Sequence, residues 1–451
     1  MEFKNKNIFI IGIGGISLSA LAMMLKNNGA KVKGSDIHKS RITTGLEQNG
    51  IEVLYGHKAQ NVLGADIVIY SAAIHDDNPE FKKAAELKIP MLTRAELLAE
   101  IALKYKNVIA VSGSHGKTTT TGMIASCFID AGLNPTVHIG GELKKINGNV
   151  YIGGKEYFIS EACEYVDSFL RFKKLSTAVA LNVQADHMDY FKTIENLQNS
   201  FKIYLNITNK NQVSVINNDD EFLKGVSVRA DKITYAINSS ADFMAKNLRR
   251  NKFSRYSYDL YYKDIKLSRI KLSVTGKHEV YNSLACICVC LHFGLTLSEI
   301  SMSLERFSGI KRRFEDVGDI NGAKVFHDYA HHPTEIQANI KAAKEFTKGR
   351  VIAIFQPHTY TRTKSLWNDF INCFSDADLV YFYKIYPARE NPIAGVTTEN
   401  LAKALQKSGK SAINFNNFDD LYITLKNNAL KDDTILILGA GNIDAFCEYI
   451  K

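Results

Sequence analysis

The sequence predicts an α/β protein of three domains: an N-terminal Rossmann-like domain, a central domain with the mostly parallel sheet of P-loop ATPases, and a C-terminal Rossmann-like domain. The chain has 451 residues, which is enough for about three domains of roughly 150 residues each. Short apolar strands alternate with helical segments along most of its length. Two of these strands run into glycine-rich turns, at residues 12–15 and 113–116.

The composition is typical of an ordered globular protein. Hydrophobic residues make up 45% of the chain and charged residues 23%, with only 7 prolines, so extensive disorder is excluded. The formal net charge of +9 fits anionic substrates and also weak nucleic-acid contacts, and charge alone does not choose between them. The 7 cysteines contain no C-x-x-C pair, which argues against a disulfide framework and predicts a reducing, cytoplasmic environment.

Residues 8–25 resemble a membrane or export segment, because they are largely apolar and follow Lys4 and Lys6. Five of these positions are Gly or Ser, and the segment is shorter than the ~20 residues needed to span a bilayer. A strand at 8–11, a glycine turn and a helix at 18–25 explain the segment better. We therefore expect no membrane insertion.

The first domain, residues 1–105, contains a candidate nucleotide-type turn. Its second strand, residues 30–34, ends close to Asp36, about where dinucleotide-binding folds place an acidic ribose ligand. The turn departs from the usual glycine pattern, because Ser17 stands where a third glycine is expected. A tight turn without a ligand is the alternative interpretation of residues 12–15.

The second domain, residues 106–308, opens with the clearest motif of the chain. A strand at 108–111 runs into Gly-Ser-His-Gly-Lys-Thr at 113–118, and a helix with one apolar face follows. In such loops backbone N–H groups and a lysine bind phosphate oxygens, and a threonine hydroxyl is available to Mg²⁺. The loop is two residues shorter than the common P-loop, with Val111 in place of its first glycine. We interpret it as a phosphate-binding loop; a coincidental glycine turn is the alternative.

Two later strands bring further candidate ligands to the same edge of the sheet. One strand, residues 157–160, ends at Glu161, and another, residues 177–183, precedes His187. Ligands in open α/β sheets bind beyond the carboxyl ends of the strands, so these side chains could meet the phosphate loop in one crevice. Oxygen ligands suit Mg²⁺. Taken singly, a surface carboxylate and a loop histidine are more often bystanders.

Two other segments of the second domain predict structure rather than chemistry. Residues 242–273 alternate charged and apolar residues, which indicates antiparallel strands. A predicted helix carries Cys286, Cys288 and Cys290. Residues two positions apart on a helix point to opposite faces. A buried apolar helix is therefore favoured over a metal site.

The third domain, residues 309–451, places polar residues directly after its strands. His331, His358 and Arg362 all occupy such positions, where ligands bind in folds of this kind. Its last glycines, at residues 439–441, predict a tight turn rather than a second dinucleotide site.

Seven stretches spread over nearly the whole chain are GIGGIS, SGSHGKTTT, SEACEYVDSFL, NVQADHMDY, GIKRRFE, HDYAHHPTEI and FQPHTYTRT. Together they make the chain resemble the Mur ligase family, a specific signal that no single stretch would provide. The resemblance implies a UDP-sugar-binding domain at 1–105, an ATP-binding domain at 106–308 and an amino-acid-binding domain at 309–451.

The resemblance also assigns site residues by position. Those implied for the UDP-sugar are Gly14, Gly15, Ile16, Asp36 and Ser71. Those implied for ATP are Gly113, Ser114, His115, Gly116, Lys117, Thr118, Thr119, Asn282, Arg313 and Asp328. Those implied for the amino acid are Tyr329, His331, His358 and Arg362. Those implied for metal are Thr118, Glu161 and His187.

Some positions depart from the family pattern. Glu279 stands where relatives often have an asparagine near the adenine, and Thr359 where they often have arginine, which leaves the detailed adenine and substrate contacts open. Certain sister ligases use a carbamylated lysine between metals. Lys202 is near the right distance from His187, but the branch that this chain resembles generally lacks that group, so we do not assign it.

The resemblance implies an ATP-dependent ligase that joins L-alanine to the carboxylate of UDP-N-acetylmuramate through an acyl phosphate, in the peptidoglycan synthesis that serves the cell wall, cell shape and division. ATP and Mg²⁺ are the implied cofactors, nucleic acid is not expected as a partner, and a cytoplasmic monomer or homodimer is expected. Lys117 and Arg313 would stabilise charge on the transferring phosphoryl group. His187 or His331 would deprotonate the amine.

Other functions stay open from the sequence. A relative that attaches a recycled tripeptide to the same UDP-sugar shares the glycine loops but usually lacks a stretch like FQPHTYTRT, and other family members act on another peptide or on folate. The first glycine turn and Asp36 also suggest an NAD-dependent oxidoreductase, which leaves the second loop unexplained. An ATP-hydrolysing binding protein that ligates nothing is the remaining alternative.

Overall fold

The computed structural model describes residues 1–71, 73–251, 254–388 and 390–450, and only the backbone of residue 189. Within that part of the chain there are three β-sheets with flanking helices, following one another along the sequence. This architecture confirms the predicted α/β fold of three domains. The domain boundaries at residues 105 and 308 stay predictions.

The first sheet carries the glycine turn at residues 12–15. Its elements in chain order are β1 (Asn7–Ile11), α1 (Ile16–Asn27), β2 (Lys31–Asp36), α2 (Arg41–Gln48), β3 (Glu52–Tyr55), a 3-10 helix (Ala59–Val62), β4 (Ile67–Tyr70), α3 (Pro79–Glu86), β5 (Met91–Thr93) and α4 (Arg94–Ala102). The strands are parallel and lie in the order β3-β2-β1-β4-β5. This is a Rossmann-like order, in which the chain reverses direction beside the central strand β1.

Local sequence explains where these elements begin and end. Strand β1 is buried from Ile8 onward, as its run of apolar residues predicts. Gly12 has φ of 76°, a conformation that favours glycine, and it ends the strand. Helix α4 begins with a capping box, in which the backbone N–H of Thr93 donates to Glu96 Oε2 at 2.9 Å.

The second sheet carries the phosphate-type loop. Its elements are β6 (Asn107–Ser112), α5 (Lys117–Asp130), β7 (Thr136–Leu143), a 3-10 helix (Lys144–Ile146), β8 (Gly148–Tyr151), β9 (Tyr157–Glu161), a 3-10 segment (Tyr165–Arg171), β10 (Thr177–Ala180), α6 (Met188–Phe191), α7 (Ile194–Leu205), β11 (Val213–Asn217), α8 (Glu221–Lys224), β12 (Asp231–Ala236), β13 (Phe243–Arg250), β14 (Arg255–Tyr262), β15 (Ile265–Thr275), α9 (His278–His292) and α10 (Leu297–Arg306). The strand order is β15-β14-β13-β12-β11-β10-β6-β9-β7-β8.

Strand β6 lies between β10 and β9 and is parallel to both. The three segments that follow these strands therefore meet at one edge of the sheet. The prediction placed the end of the strand before His187 at residue 183, whereas β10 ends at Ala180. Strands β14 and β15 are neighbours joined by Lys263 and Asp264 alone, a connection that only antiparallel strands allow, as predicted for this region.

The cysteine-bearing helix α9 is buried, as predicted. Cys286, Cys288 and Cys290 are at most 1% exposed. Cys286 Sγ lies 3.8 Å from the Sγ atoms of both Cys290 and Cys127. Cys127 belongs to α5, so the thiols pack the phosphate-loop helix against α9 within the core.

The third sheet begins after residue 309. Its elements are β16 (Glu315–Ile320), β17 (Ala323–Asp328), α11 (Pro333–Lys344), β18 (Val351–Phe355), α12 (Tyr360–Ser365), α13 (Trp367–Asn372), β19 (Leu379–Tyr383), α14 (Thr398–Lys407), β20 (Ser411–Phe415), α15 (Phe418–Asn428), β21 (Thr434–Leu438) and a 3-10 helix (Asn442–Ile450). The order is β16-β17-β21-β18-β19-β20, with only β16 antiparallel to its neighbour.

Internal packing divides the described chain into two compact units. The first contains the first and second sheets and comprises Met1–Arg249, Ser257–Val274 and His278–Ser308; the second contains the third sheet and comprises Arg250–Tyr256, Thr275–Lys277 and Gly309–Lys451. In the part of the chain that the structure describes, no helix combines the length and the apolar character that crossing a membrane requires.

Candidate functional site

The first glycine turn is held closed by Asp36. Asp36 is the last residue of β2, and its Oδ2 accepts a hydrogen bond from the backbone N–H of Gly14 at 2.9 Å. A Cβ atom at Gly14 would lie 2.7 Å from the same oxygen, so a larger residue there would displace the Asp36 carboxylate. Gly15 and Ile16 follow, with Ile16 opening α1. The turn brings four of the five predicted UDP-sugar residues together.

Ser71, the fifth predicted UDP-sugar residue, follows β4 directly. Because β4 pairs with β1 up to Tyr70 and Ile11, Ser71 and the glycine turn lie beyond the carboxyl ends of adjacent strands. Ser71 Oγ accepts a hydrogen bond from the backbone N–H of Ala73 at 3.3 Å. Its place in the fold agrees with the general position of ligand sites in such sheets.

The second glycine loop is a tight turn in which both glycines have positive φ. Gly113 has φ of 149° and Gly116 φ of 85°, and a Cβ at Gly116 would lie 2.5 Å from Asn282 Oδ1. The N–H groups of Ser114 and His115 are anchored by Asn182, at 3.0 Å and 2.8 Å. The first N–H groups of α5, from Lys117 to Thr119, have no intrahelical acceptor and point toward the loop.

Lys117 folds back over this loop. Its Nζ donates to the carbonyl oxygens of Gly113 and Ser114 at 2.5 Å and 3.2 Å, and to Glu164 Oε1 at 3.0 Å. Burial by itself lowers the pKa of Lys117, but the Glu164 carboxylate, together with Cys163 and Glu161, holds that pKa above its ordinary value. The lysine therefore stays charged in this largely buried position.

Glu164 is the main site residue that sequence reasoning missed. Its carboxylate is fully buried, and Oε2 has no hydrogen-bond partner among the described residues. The signal was present in the stretch SEACEYVDSFL, where Glu164 follows Glu161 by three residues. A kinked 3-10 segment, with positive φ at Val166 and Asp167, follows Glu164, and that local geometry was not predictable.

Glu161 and His187 lie at the same edge of the sheet as the loop. Glu161 Oε1 accepts a hydrogen bond from the backbone N–H of Gly140 at 2.6 Å. His187 has φ of 56°, an unusual value for a non-glycine residue that is typical of functional positions. Its Nε2 lies 3.9 Å from Glu164 Oε1 and 3.7 Å from Asp186 Oδ2.

Among the described residues, Glu164, Asp186 and His187 offer ligand atoms that all lie within 4.8 Å of one another. Two carboxylates and one imidazole form a donor set suited to a divalent cation such as Mg²⁺ or Mn²⁺. Thr118, the predicted hydroxyl ligand, is buried in the first turn of α5. The buried, unpartnered Oε2 of Glu164 is consistent with a cation in this region.

Asn282, predicted near the adenine, contacts the phosphate-loop helix. Its Oδ1 accepts from Thr120 Oγ1 at 3.2 Å, and its Nδ2 donates to Glu279 Oε2 at 3.0 Å. Glu279, a departure from the family pattern, thus orients the Asn282 carboxamide. Both side chains are buried.

In the second unit, the Asp328 carboxylate accepts hydrogen bonds from two backbone N–H groups. Its Oδ2 accepts from the backbone N–H of Phe314 and its Oδ1 from that of Ala330, each at 2.7 Å. The guanidinium of Arg313 lies 5.4 Å from the centre of the Tyr329 ring, within the range of a cation–π contact. The aspartate thereby holds Arg313 and Tyr329, two predicted ligand-binding residues, in one place.

The predicted amino-acid residues of this unit form a second cluster. The rings of His331 and His358 are 6.1 Å apart, and Arg362 Nη1 lies 3.4 Å from His358 Nδ1. Burial lowers the pKa of both histidines, that of His358 to about 4, so both are neutral near pH 7. Thr359 has φ of 68° and ψ of 146°, a strained conformation for a β-branched residue.

The final glycines fill a turn rather than a cofactor site. Gly439 has φ of 151°, and a Cβ there would lie 3.0 Å from the carbonyl oxygen of Gln356. Gln356 Nε2 donates to Asn442 Oδ1 at 2.9 Å. The turn is packed by protein side chains, in agreement with the prediction.

The chain is similar to known proteins over most of its length. Three family models match: the Mur ligase family catalytic domain over residues 7–106, the Mur ligase middle domain over 111–290, and the Mur ligase glutamate ligase domain over 312–441. These ranges cover parts of all three sheets.

Two curated relatives illustrate the similarity. A UDP-N-acetylmuramate–L-alanine ligase of Caldanaerobacter subterraneus subsp. tengcongensis is 44% identical over 442 residues, which are 98% of this chain and 96% of that protein. A protein of the same name from Acetivibrio thermocellus is 44% identical over 443 residues, 98% of this chain and 94% of that protein.

Solved structures agree with this similarity. The UDP-N-acetylmuramate-alanine ligase of Thermotoga maritima superposes with a TM-score of 0.84 at 26% identity, over 99% of this chain and 98% of that one. A murein peptide ligase from Psychrobacter arcticus shares the fold, with a TM-score of 0.74 at 24% identity. From the three family models and the near full-length relatives at 44% identity, the chain belongs to the Mur ligase family.

Proposed function

We propose that this chain is an ATP-dependent ligase that joins L-alanine to the carboxylate of UDP-N-acetylmuramate, in the synthesis of peptidoglycan precursors. The observation that carries the proposal is the 44% identity to two ligases of that activity along 98% of the chain. The loop with Lys117 turned over it supplies the phosphate chemistry that such a reaction needs.

The loop residues fit the phosphates of ATP. Gly116 has a left-handed backbone, and a Cβ atom there would collide with Asn282 Oδ1, so the loop passes close to α9. The start of α5 offers N–H groups and a positive dipole end. For Mg²⁺, the fitting residues are Thr118, Glu161, and the group formed by Glu164, Asp186 and His187. Mg²⁺ bound there would supply positive charge to the phosphate oxygens.

In the first step, a carboxylate oxygen of UDP-N-acetylmuramate attacks the γ-phosphorus of ATP, and ADP leaves. The product is an acyl phosphate, whose carbonyl carbon is activated because phosphate is a far better leaving group than an oxide ion. The obstacle is repulsion between two anions. Lys117, held charged by Glu164, offsets that repulsion at the loop, and we assign Arg313 the same role in the second unit.

In the second step, the amine of L-alanine attacks the acyl carbon, and phosphate leaves with one former carboxylate oxygen. The amine must lose its proton before or during attack. His331 is partly buried, and desolvation lowers its pKa, so it is neutral and able to accept a proton near pH 7. We assign Arg362, beside His358, to the carboxylate of alanine, because a guanidinium pairs well with a carboxylate.

The experiment is to incubate the purified chain with ATP, Mg²⁺ and UDP-N-acetylmuramate, adding single amino acids or the recycled tripeptide, and to identify adducts by mass spectrometry. We expect an L-alanine adduct with one ADP per product. UDP-N-acetylglucosamine, which lacks the carboxylate, is the matched control and should give none. An adduct formed only with the tripeptide, or ADP release that needs neither substrate, would contradict the proposal.

A labelled carboxylate tests the intermediate. With UDP-N-acetylmuramate carrying ¹⁸O in its carboxylate, we expect one ¹⁸O atom in the released phosphate. Unlabelled phosphate would exclude the acyl phosphate.

We further propose that the reaction takes place in the cytoplasm, where ATP is abundant. The 7 free cysteines accord with a reducing compartment.

A further inference from the structure

The buried histidine His138 lies on strand β7, which pairs with β9 in the second sheet. Its side chain is 2% exposed, and both ring nitrogens are within hydrogen-bond distance of a hydroxyl. Nε2 lies 2.8 Å from Ser17 Oγ, in the first turn of α1. Nδ1 lies 3.0 Å from Ser160 Oγ, on β9 directly before Glu161. Nothing in the proposed chemistry uses this residue.

The neighbouring donors determine which way each of these hydrogen bonds runs. Ser160 donates its own proton to the carbonyl oxygen of Glu161 at 2.8 Å, so its Oγ can only accept from His138 Nδ1–H. Burial, together with the positive charge of Arg94, lowers the pKa of His138 to about 3, so the ring is neutral. Its Nε2 therefore accepts from the hydroxyl of Ser17.

Arg94 begins the chain of hydrogen bonds. Its Nη1 donates to Ser17 Oγ at 3.2 Å, which leaves the Ser17 proton available for His138. Donors and acceptors then alternate without conflict from Arg94 through Ser17, His138 and Ser160 to the backbone of Glu161. A continuous chain of this kind fixes the tautomer and the orientation of every member.

Other residues of the β7–β8 hairpin also contact the start of α1 and the end of β9. Asn149 of β8 donates to the carbonyl oxygen of Ile16, at the first glycine turn. On the other side, the backbone N–H of Gly140 on β7 donates to Glu161 Oε1 at 2.6 Å. The hairpin thus connects the start of α1 with the carboxylate proposed to bind metal.

We propose that His138 is a positioning residue that ties the first glycine turn to strand β9, and so couples ligand binding at the turn to Mg²⁺–nucleotide binding at Glu161. The inference rests on the proposed function for the identity of the two ligands. When the UDP-sugar binds and shifts the turn, Ser17 and His138 transmit the shift to the backbone that carries Glu161. They do so because each hydrogen bond in the chain can form in only one direction.

The test measures coupling between the two sites. The dissociation constant of Mg²⁺ with a non-hydrolysable ATP analogue is determined by calorimetry on the full chain, with and without saturating UDP-N-acetylmuramate. We expect the UDP-sugar to change that constant at least fivefold in the unaltered protein, the low end of typical couplings. In His138→Leu, which removes both hydrogen bonds, the ratio should fall to about one, while each ligand alone binds within threefold of normal.

Two further variants separate positioning from folding. Ser17→Ala removes the hydrogen bonds of the Ser17 hydroxyl with Arg94 and His138 at a partly exposed site. It should also reduce the ratio, even if His138→Leu fails to fold. Thr136→Val is the control, because Thr136 lies on the same strand and bonds Gly154 at 3.2 Å without contacting the chain of hydrogen bonds. It should keep the coupling of the unaltered protein.

Results that contradict the role of His138 differ from results that contradict the proposed function. If the unaltered protein makes product and shows no coupling, or if Ser17→Ala keeps the full ratio, the role of His138 is overturned. If the unaltered protein does not bind UDP-N-acetylmuramate, the proposed function itself fails. Nitrogen NMR of labelled histidine supplies an independent check: we expect a protonated Nδ1 and an unprotonated Nε2, and the opposite tautomer would contradict the inference.

Discussion

Lys117 Nζ lies 3.0 Å from Glu164 Oε1, and the Glu164 carboxylate is completely buried. The lysine of the phosphate loop is therefore already paired in the protein alone. A buried carboxylate without a counter-charge is costly, so the two residues depend on each other for folding as well as for chemistry. Mutating Lys117 and Glu164 singly and together can therefore separate the effect on stability from the effect on product formation.

Lys117→Met should destabilise the protein by about 3 kcal/mol, because it leaves Glu164 charged and unpaired. Lys117→Met combined with Glu164→Gln should regain most of that loss, since no buried charge remains. Neither variant should form product, while UDP-sugar binding should stay nearly normal because we assign that site to the first sheet. Denaturant unfolding and calorimetry check this. Equal stability of the single and double variants would show that the pair is not coupled.

Gly140→Ala should weaken the response to Mg²⁺. A Cβ at Gly140 would lie 2.7 Å from Glu161 Oε2 and 3.1 Å from Oε1, so the carboxylate must move. We expect the Mg²⁺ concentration for half-maximal activity to rise about tenfold, equivalent to about 1.4 kcal/mol. Gly148→Ala on β8 is the control, because its nearest atom would be 3.8 Å away. A similar Mg²⁺ requirement in both variants would contradict the assignment of Glu161.

The second unit should lose stability in mild acid. Burial and the charge of Arg312 lower the pKa of His327 from 6.5 to about 3, so the unfolded chain binds a proton that the folded chain refuses. This contribution is complete above pH 6.5 and is lost as the pH falls toward 3. The loss of folding stability should amount to about 2 kcal/mol by pH 5.

Fluorescence of Trp367, the only tryptophan in the sequence, reports unfolding of this unit. His327→Leu should show a shallower dependence of stability on pH between 7 and 5 than the unaltered protein, whatever its stability at pH 7. Parallel pH profiles for the two proteins would show that His327 is not the titrating group.

Arg362→Ala should raise the KM for L-alanine at least tenfold and leave the KM values for ATP and the UDP-sugar within twofold. The reason is loss of the guanidinium that we assign to the amino-acid carboxylate. Lys364→Ala, on the same short helix and exposed, is the charge-matched control and should behave normally. A rise in the KM for ATP instead would move Arg362 to the nucleotide site.

Much of the candidate site was predictable because it lies in continuous motifs. The loop at residues 113–118 was recognisable from its spacing, and Glu161 from its position at the end of a strand. His331, His358 and Arg362 were placed after strands in the same way, and they form a cluster. Their assignment to particular ligands stays a prediction.

Other residues were missed because their partners are distant in the sequence. His138 contacts Ser17, 121 positions away, and Glu164 contacts Lys117 across 47 positions. Asp36 looked like a free ribose ligand, yet it bonds Gly14. The strand before His187 was predicted to be too long because Leu181 and Val183 are apolar and buried without belonging to β10.

The amino-acid sequence by itself determined the α/β class, the two glycine loops and most of the strands, because these depend on the period of apolar residues and on conformations that only glycine adopts easily. The tertiary structure alone decided that β21 inserts between β17 and β18, that Glu164 pairs with Lys117, and that His138 contacts both α1 and β9. Such pairings depend on which strands become neighbours, and that is set by the packing of the whole core rather than by any local stretch.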